Sequence, residues 1–211
     1  MYNYQHLLTP KNIGSGIAQQ LLIAPVEYFA TNGIKSPPAT GTNPGDEVII
    51  SSSHVFKSGK GFIEILLAPE LNSFQATQMG DKGSSKFDQS LRVFVPGSYF
   101  EVHETVKNLL NVPFIALIKD SECPADFYYQ VGACGVYAYF TCDFTTGTTK
   151  EGKKGYEMVL NYTHSFVQLY QGNVRKLGGP VSTVLLGVDD LAAELNYLIG
   201  EDENNLLGFE E

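Results

Sequence analysis

Ser98 lies at a strand-to-helix turn in the stretch VFVPGSYFEVHETVKNLLNVPFIALIKD. Hydrolases hold nucleophiles at such turns, and nucleotide-binding enzymes hold phosphates there. A nucleophile elbow needs small neighbours, G-x-S-x-G, so that the turn can close. Ser98 is instead followed by Tyr99 and Phe100. A dinucleotide-binding turn needs three glycines in G-x-G-x-x-G, and only Gly97 is present. Ser98 with Glu101 reads better as an S-x-x-E capping box, which would satisfy free amides at a helix start. A second phosphate candidate, Gly147 to Lys154, fits G-x-x-x-x-G-K and then has Lys154 where a hydroxyl must hold magnesium. The alternating stretch behind it reads as a strand, not the helix whose amides would grip phosphate.

The remaining chemistry-bearing residues are scattered. His6, His54, His103 and His164 pair with no Cys or second His at ligand spacing, so no metal site is expected. Ser51, Ser52 and Ser53 precede His54, but successive strand residues point to opposite faces, so adjacency gives no triad. Asp143 and Glu157 could face each other across a sheet, with two solvated carboxylates as the default reading. No catalytic residue and no cofactor is expected, and the chain does not read as an enzyme.

Composition bounds the elements that position these residues. The 211 residues are 43% hydrophobic and 18% charged, enough for one large domain with its own core. Twelve Tyr and 13 Phe favour pleated, half-buried surfaces. The net charge is −9, and five of the 23 acids sit in the C-terminal run EDENNLLGFEE, which carries no base. A basic nucleic-acid footprint is therefore absent, and polyanions should be repelled rather than gripped. Cys123, Cys134 and Cys142 form no CxxC and read as reduced thiols. No leader peptide and no membrane span is expected.

Along the chain, residues 1–20 read as an N-terminal arm, 21–176 as a β-sandwich domain, and 177–211 as a C-terminal extension. LLIAPVEYF (21–29) reads as a strand interrupted at Pro25 and so placed at a sheet edge or bulge. Residues 47–56 and 61–68 read as a hairpin across SGK, with Ile63, Ile65 and Leu67 on one face. The segments 31–46, 69–86 and 145–154 read as long polar loops, with Phe74 and Met79 as apolar anchors of the second. FDQSLRVFV (87–95) alternates, and a helix is predicted over about 98–111, ending at Val112-Pro113. FIALI (114–118) is apolar throughout, as in a strand covered on both faces, one of them by that helix. Residues 126–131 and 136–144 read as a hairpin around GACG. In 156–164, Tyr156, Met158, Leu160 and Tyr162 share one face, and 166–170 extends the strand. A short C-terminal helix is predicted over about 189–199, capped by Asp189 and ended by Gly200. The fold class is mainly β: an antiparallel β-sandwich or partly closed barrel of seven or eight strands with one flanking helix. Leu206, Leu207 and Phe209 lie within the acidic tail and suit docking in a groove.

The element order, with GSSKFDQSLRVFVPG, the helix ending NLLNVPFIALIKD and the closing GYEMVLNYTHSFVQLYQG, resembles the major tail tube proteins of long-tailed bacteriophages, particularly those of Bacteroidota hosts. The resemblance spans roughly residues 45–174. It implies a self-assembling virion protein made in the host bacterial cytoplasm. Six subunits would join their strands into a ring, rings would stack into a tail tube, and DNA would pass through without specific binding. It implies no membrane, and partners limited to further copies and other tail or neck proteins. Loop 69–86 would stack the rings, giving Phe74, Met79, Asp81, Lys82 and Lys86 as contact residues, with Leu206, Leu207 and Phe209 contacting neighbours. The C-terminal helix and tail exceed a minimal tube domain, which leaves open a related neck, terminator or baseplate ring. Two other classes remain: a monomeric binding module, for carbohydrate or a protein partner, with Tyr128, Tyr129, Tyr137 and Tyr139 as a stacking platform, and a hydrolase with an unrecognised site.

Overall fold

The computed structural model describes residues 16–43, 45–69, 71–121, 127–147 and 152–177. The predicted helix at 189–199 and residues Leu206, Leu207 and Phe209 lie outside them, as does His6. The chain divides into the units Met1–Gly178 and Gly179–Glu211, and the described residues belong to the first.

Among the described residues, ten strands and one α-helix follow in the order β1 (Ile17–Pro25), β2 (Ile49–Ile50), β3 (Ile63–Leu66), β4 (Ser73–Met79), β5 (Lys86–Pro96), α1 (Phe100–Leu109), β6 (Phe114–Asp120), β7 (Tyr128–Val131), β8 (Tyr139–Thr145), β9 (Gly155–His164) and β10 (Gln168–Tyr170). They form a six-stranded sheet, β2-β10-β7-β6-β1-β3, and a four-stranded sheet, β4-β5-β9-β8. Every pairing is antiparallel except β2 with β10. The sheets do not close on each other, so the fold is a sandwich rather than a barrel.

Alternation builds the space between the sheets. β9 turns Met158, Leu160 and Tyr162 inward, and β5 turns Gln89, Leu91, Val93 and Val95 inward. They meet Leu21, Ile23, Phe114, Ala116, Ile118 and Val131 from the other sheet. β6 is buried on both faces, as its unbroken apolar run implies. Its second face, Ile115 and Leu117, packs with Leu22, Phe29, Phe56, Phe62 and Tyr170. The cover there is the long connection between β1 and β3, not the helix. Val106 and Leu109 of α1 instead join the core between the sheets.

Several sequence expectations are corrected. β1 begins at Ile17, inside the segment read as an arm, and lies between β6 and β3 rather than at an edge. Pro25 is its last residue, where the missing N–H interrupts no ladder. Residues 47–56 and 61–68 form no hairpin: only Ile49–Ile50 is strand in the first, and it pairs in parallel with β10. Residues 168–170 do not extend β9 but cross to the other sheet. Residues 73–79 are strand β4, not loop. The helix starts at Phe100 with Tyr99 at its N-cap and no side-chain cap bond, so Ser98 and Glu101 form no capping box.

The GACG turn does close between Ala133 and Val136, but the strands on either side of it do not pair as a hairpin. Its flanks belong to different sheets, β7 to the six-stranded one and β8 to the four-stranded one. Gly132, at φ 97°, makes the switch possible. A Cβ there would sit 2.9 Å from the Phe114 carbonyl oxygen and 3.0 Å from Ile115 Cδ1. Gly132→Ala is therefore expected to lower stability by about 1–3 kcal/mol, read as a fall in the urea midpoint. An unchanged midpoint would show that the turn has room to relax.

Candidate assembly surface

The residues singled out in the sequence part company in the structure. Met79, Asp81, Lys82 and Lys86 gather at the tip of the β4–β5 hairpin, where all four are exposed. Gly80 and Gly83 take φ 96° and 89°, and the Ser84 amide donates to the Asp81 carbonyl at 2.9 Å, closing the turn. Phe74 does not join them. It turns inward from β4 and stacks on Tyr129 at 5.3 Å across the sandwich. The stretch reads as polar because only Phe74 and Ala76 face the core, too short a signal for a strand.

The edges of the two sheets differ. In the six-stranded sheet, β2 has two residues and β3 four, and the start of β3 is covered where the Phe62 amide donates to the Arg175 carbonyl at 2.8 Å. In the four-stranded sheet both edges, β4 and β8, have seven residues. Among the described residues no strand pairs with the outer side of either. Tyr139 and Phe144 stand exposed on β8. Long bare edges are normally shortened, charged or covered, because their free amides and carbonyls recruit other strands.

The candidate chemistry dissolves into structural roles. His54 is buried and neutral, with both ring nitrogens used. The Lys35 amide donates to Nδ1 at 3.0 Å, so Nε2 carries the proton and donates to Gln130 Oε1 at 3.0 Å. Its ring stacks on Tyr170 at 4.5 Å, whose hydroxyl accepts the His54 amide at 3.1 Å. Burial pushes the imidazole down to about 4 and the Tyr170 phenol up to about 12. This cluster pins the connection between β1 and β3 to the sheet. Asp143 and Glu157 do face each other in register, but Glu157 pairs with Arg92 at 3.3 Å on an exposed face. His103 bonds the Tyr156 hydroxyl and packs on Phe144 at the end of the sandwich. No three His, Cys, Asp or Glu side chains among the described residues come together to hold a metal. No helix among them is long and apolar enough to cross a membrane.

The four tyrosines suggested as a stacking platform point to separate places. Tyr129 faces the space between the sheets, and Tyr128 and Tyr137 pack against the second core. Tyr139 is the one of the four on the open surface.

Two features had no sequence signal. At one end of the sandwich, Tyr99 and Phe100 are 72% and 81% exposed. Separately, a cleft of about 620 Å³ opens between the sheets, lined by Phe74, Ala76, Phe127, Tyr129, Val167 and Leu169 among others. Burial raises the pKa of the Tyr129 phenol there, with Asp120 adding to it.

No family model, curated protein or solved structure matches the chain.

Proposed function

We propose that the chain is a self-assembling ring protein of a phage tail, with tube formation as its function. The observation that carries this reading is the pair of bare seven-residue edges on one antiparallel sheet. β4 and β8 stand first and last in a sheet of four alternating strands, so they run in opposite directions. A rotation that brings β8 of one copy beside β4 of the next therefore makes an antiparallel pair, and repeating it closes a ring without leaving an edge. Six copies would give a 24-stranded barrel. At roughly 4.8 Å per strand its backbone circle is about 37 Å across before strand tilt widens it.

The outward face of that sheet suits a channel wall. It presents Gln75, Thr77, Ser90, Thr141, Asn161 and Thr163, with Met79, Tyr139 and Val159 among them and the carboxylates of Asp88, Asp143 and Glu157 against Lys86 and Arg92. A largely polar face with a slight negative excess offers a polyanion little grip. This face would line the lumen.

The hairpin tip would then project along the ring axis. Because Met79 pairs directly with Lys86, replacing residues 80–85 by Asn-Gly keeps the register and gives a two-residue turn. This variant is expected to keep the parent's urea midpoint and to form rings that stack poorly, as seen by electron microscopy. Tubes of normal length would remove the tip from the stacking contact.

A further inference from the structure

The two open edges of the four-stranded sheet can be matched residue by residue. The Phe94 amide donates to Asn72 Oδ1 and the Phe94 carbonyl accepts the Ala68 amide, so the backbone of Phe94 points to the β4 side of β5. The Gly97 amide donates to the Lys154 carbonyl, on the β9 side. β5 pairs with both neighbours without a register shift, so its even-numbered residues bond to β4 and its odd-numbered ones to β9. Carried outward through the registers, this alternation leaves the amides and carbonyls of Phe74, Ala76 and Gln78 on the open side of β4. It likewise leaves those of Phe140, Cys142 and Phe144 on the open side of β8. By the alternation of a strand, the side chains of all six lie on the inner face of the sheet.

We propose that copies join in one register, with Ser73 of β4 opposite Thr145 of the next copy's β8 and Met79 opposite its Tyr139. This deepens the ring reading and rests on it, by naming how one copy meets the next. A slip of one residue fails twice. It sets inward side chains against outward ones, and free amides against amides already bonded within a copy. Among the registers that remain, this one pairs all seven residues of both edges. It also covers the exposed large apolar side chains of the two strands. Met79, 48% exposed, meets Tyr139, 52% exposed, as a thioether against an aromatic ring, and Phe144 meets Phe74. A shift of two residues one way sets Met79 opposite Thr141, and the other way carries it past the end of β8.

The geometry of closure supports the same register independently. One row across the sheet is Phe74, Leu91, Leu160 and Phe140. The joint sets Phe140 opposite Gln78 of the adjoining copy, so crossing four strands advances the row by four residues. Shear then equals strand number, whatever the number of copies. The eight-stranded barrel of shear 8 has that same ratio and a strand tilt of about 36°, within the roughly 35–45° of closed barrels. The registers two residues away advance by two or six residues, which at the same strand geometry gives a tilt of roughly 20° or 47°. At about 36°, six copies widen the backbone circle from about 37 Å to about 45 Å.

Thr77 and Thr141 are exposed, and the register sets them directly opposite with Cα atoms about 4.5 Å apart, within reach of a disulfide. Within one copy they lie on opposite edges, three strand spacings or roughly 14 Å apart, so a bond can form only between copies. With Cys123→Ser, Cys134→Ser and Cys142→Ala in place, oxidised Thr77→Cys/Thr141→Cys is expected to run as a ladder of linked copies on a denaturing gel, collapsing to monomer on reduction. Thr77→Cys/Asp143→Cys and Gln75→Cys/Thr141→Cys, each two residues out of register, are expected to link far less. Gln75 lies opposite Asp143 in this register and opposite a threonine in either neighbouring one. Gln75→Asp is therefore expected to raise, and Gln75→Lys to lower, the concentration at which rings form, each by roughly two- to five-fold. Stronger linking of an offset pair, or rings indifferent to charge at Gln75, would overturn the register and leave the ring reading in place. Rings in which no pair links would mean that something other than a second copy's edge covers β4 and β8, and would overturn the joint as well. Wild-type protein that forms neither rings nor tubes would overturn the ring reading itself.

Discussion

Lowering the pH from 7 to 4 is expected to weaken the fold by about 3 kcal/mol through His54 alone. The imidazole is held down to about 4 by burial, against its ordinary value of 6.5. Between those values the unfolded chain binds a proton that the folded chain refuses, so stability falls as pH falls. The contribution is intact above about pH 6.5, declines toward pH 4, and falls no further below that. The shift of about 2.5 units at 1.36 kcal/mol each sets the size. The lowered carboxylates overlap only the acid end of this window. Asp46 is held down by the Asn43 and Thr42 amides and Glu64 by Lys176 and Gln20, so their contributions are full above their ordinary values of 3.8 and 4.5 and decline only below them. Urea melts of wild type and His54→Gln at pH 7, 5.5 and 4 would check this. The variant is expected to start less stable by about 1–3 kcal/mol, because the Lys35 and Gln130 contacts are disturbed, and to have a flatter pH profile. Parallel profiles would show that another group carries the acid sensitivity.

The second large effect concerns the β8 edge. Thr141 and Cys142 are consecutive residues in the middle of β8. Along an edge strand the amides point alternately to the neighbour and to solvent. Of Thr141→Pro and Cys142→Pro, one therefore removes a bond to β9 and the other an outward donor. The first is expected to be destabilised by about 3 kcal/mol or more, and the second to fold but fail to close rings. Sedimentation would separate them: folded monomers from one, poorly soluble protein from the other. Normal rings from both would exclude β8 as the joint.

The parts of the fold legible in the sequence are those in which a strand records its own burial. β9 and β5 alternate over ten and eleven residues, and β6 is apolar through Ile118 because both its faces are covered. β4 is invisible in the sequence because its sheet-edge position leaves only Phe74 and Ala76 facing the core. The failed hairpins share one cause. SGK and GACG carry genuine turn signals, but a turn does not record whether the chain returns to the same sheet. That choice is made by distant partners: β1 for β3, and β9 for β8. His54 is similarly opaque, since Gln130 and Tyr170 lie 76 and 116 residues away. Tyr99 and Phe100 read in the sequence only as too bulky for a nucleophile elbow, because adjacent aromatics give no sign of exposure.

The most direct test of ring closure through β4 and β8 is negative-stain electron microscopy of the wild-type protein over a wide concentration range. Rings or tubes with a central opening, lost in the folded proline variant of β8, are the expected result. A monomer at every concentration, or rings that persist when the β8 edge is blocked, would contradict it.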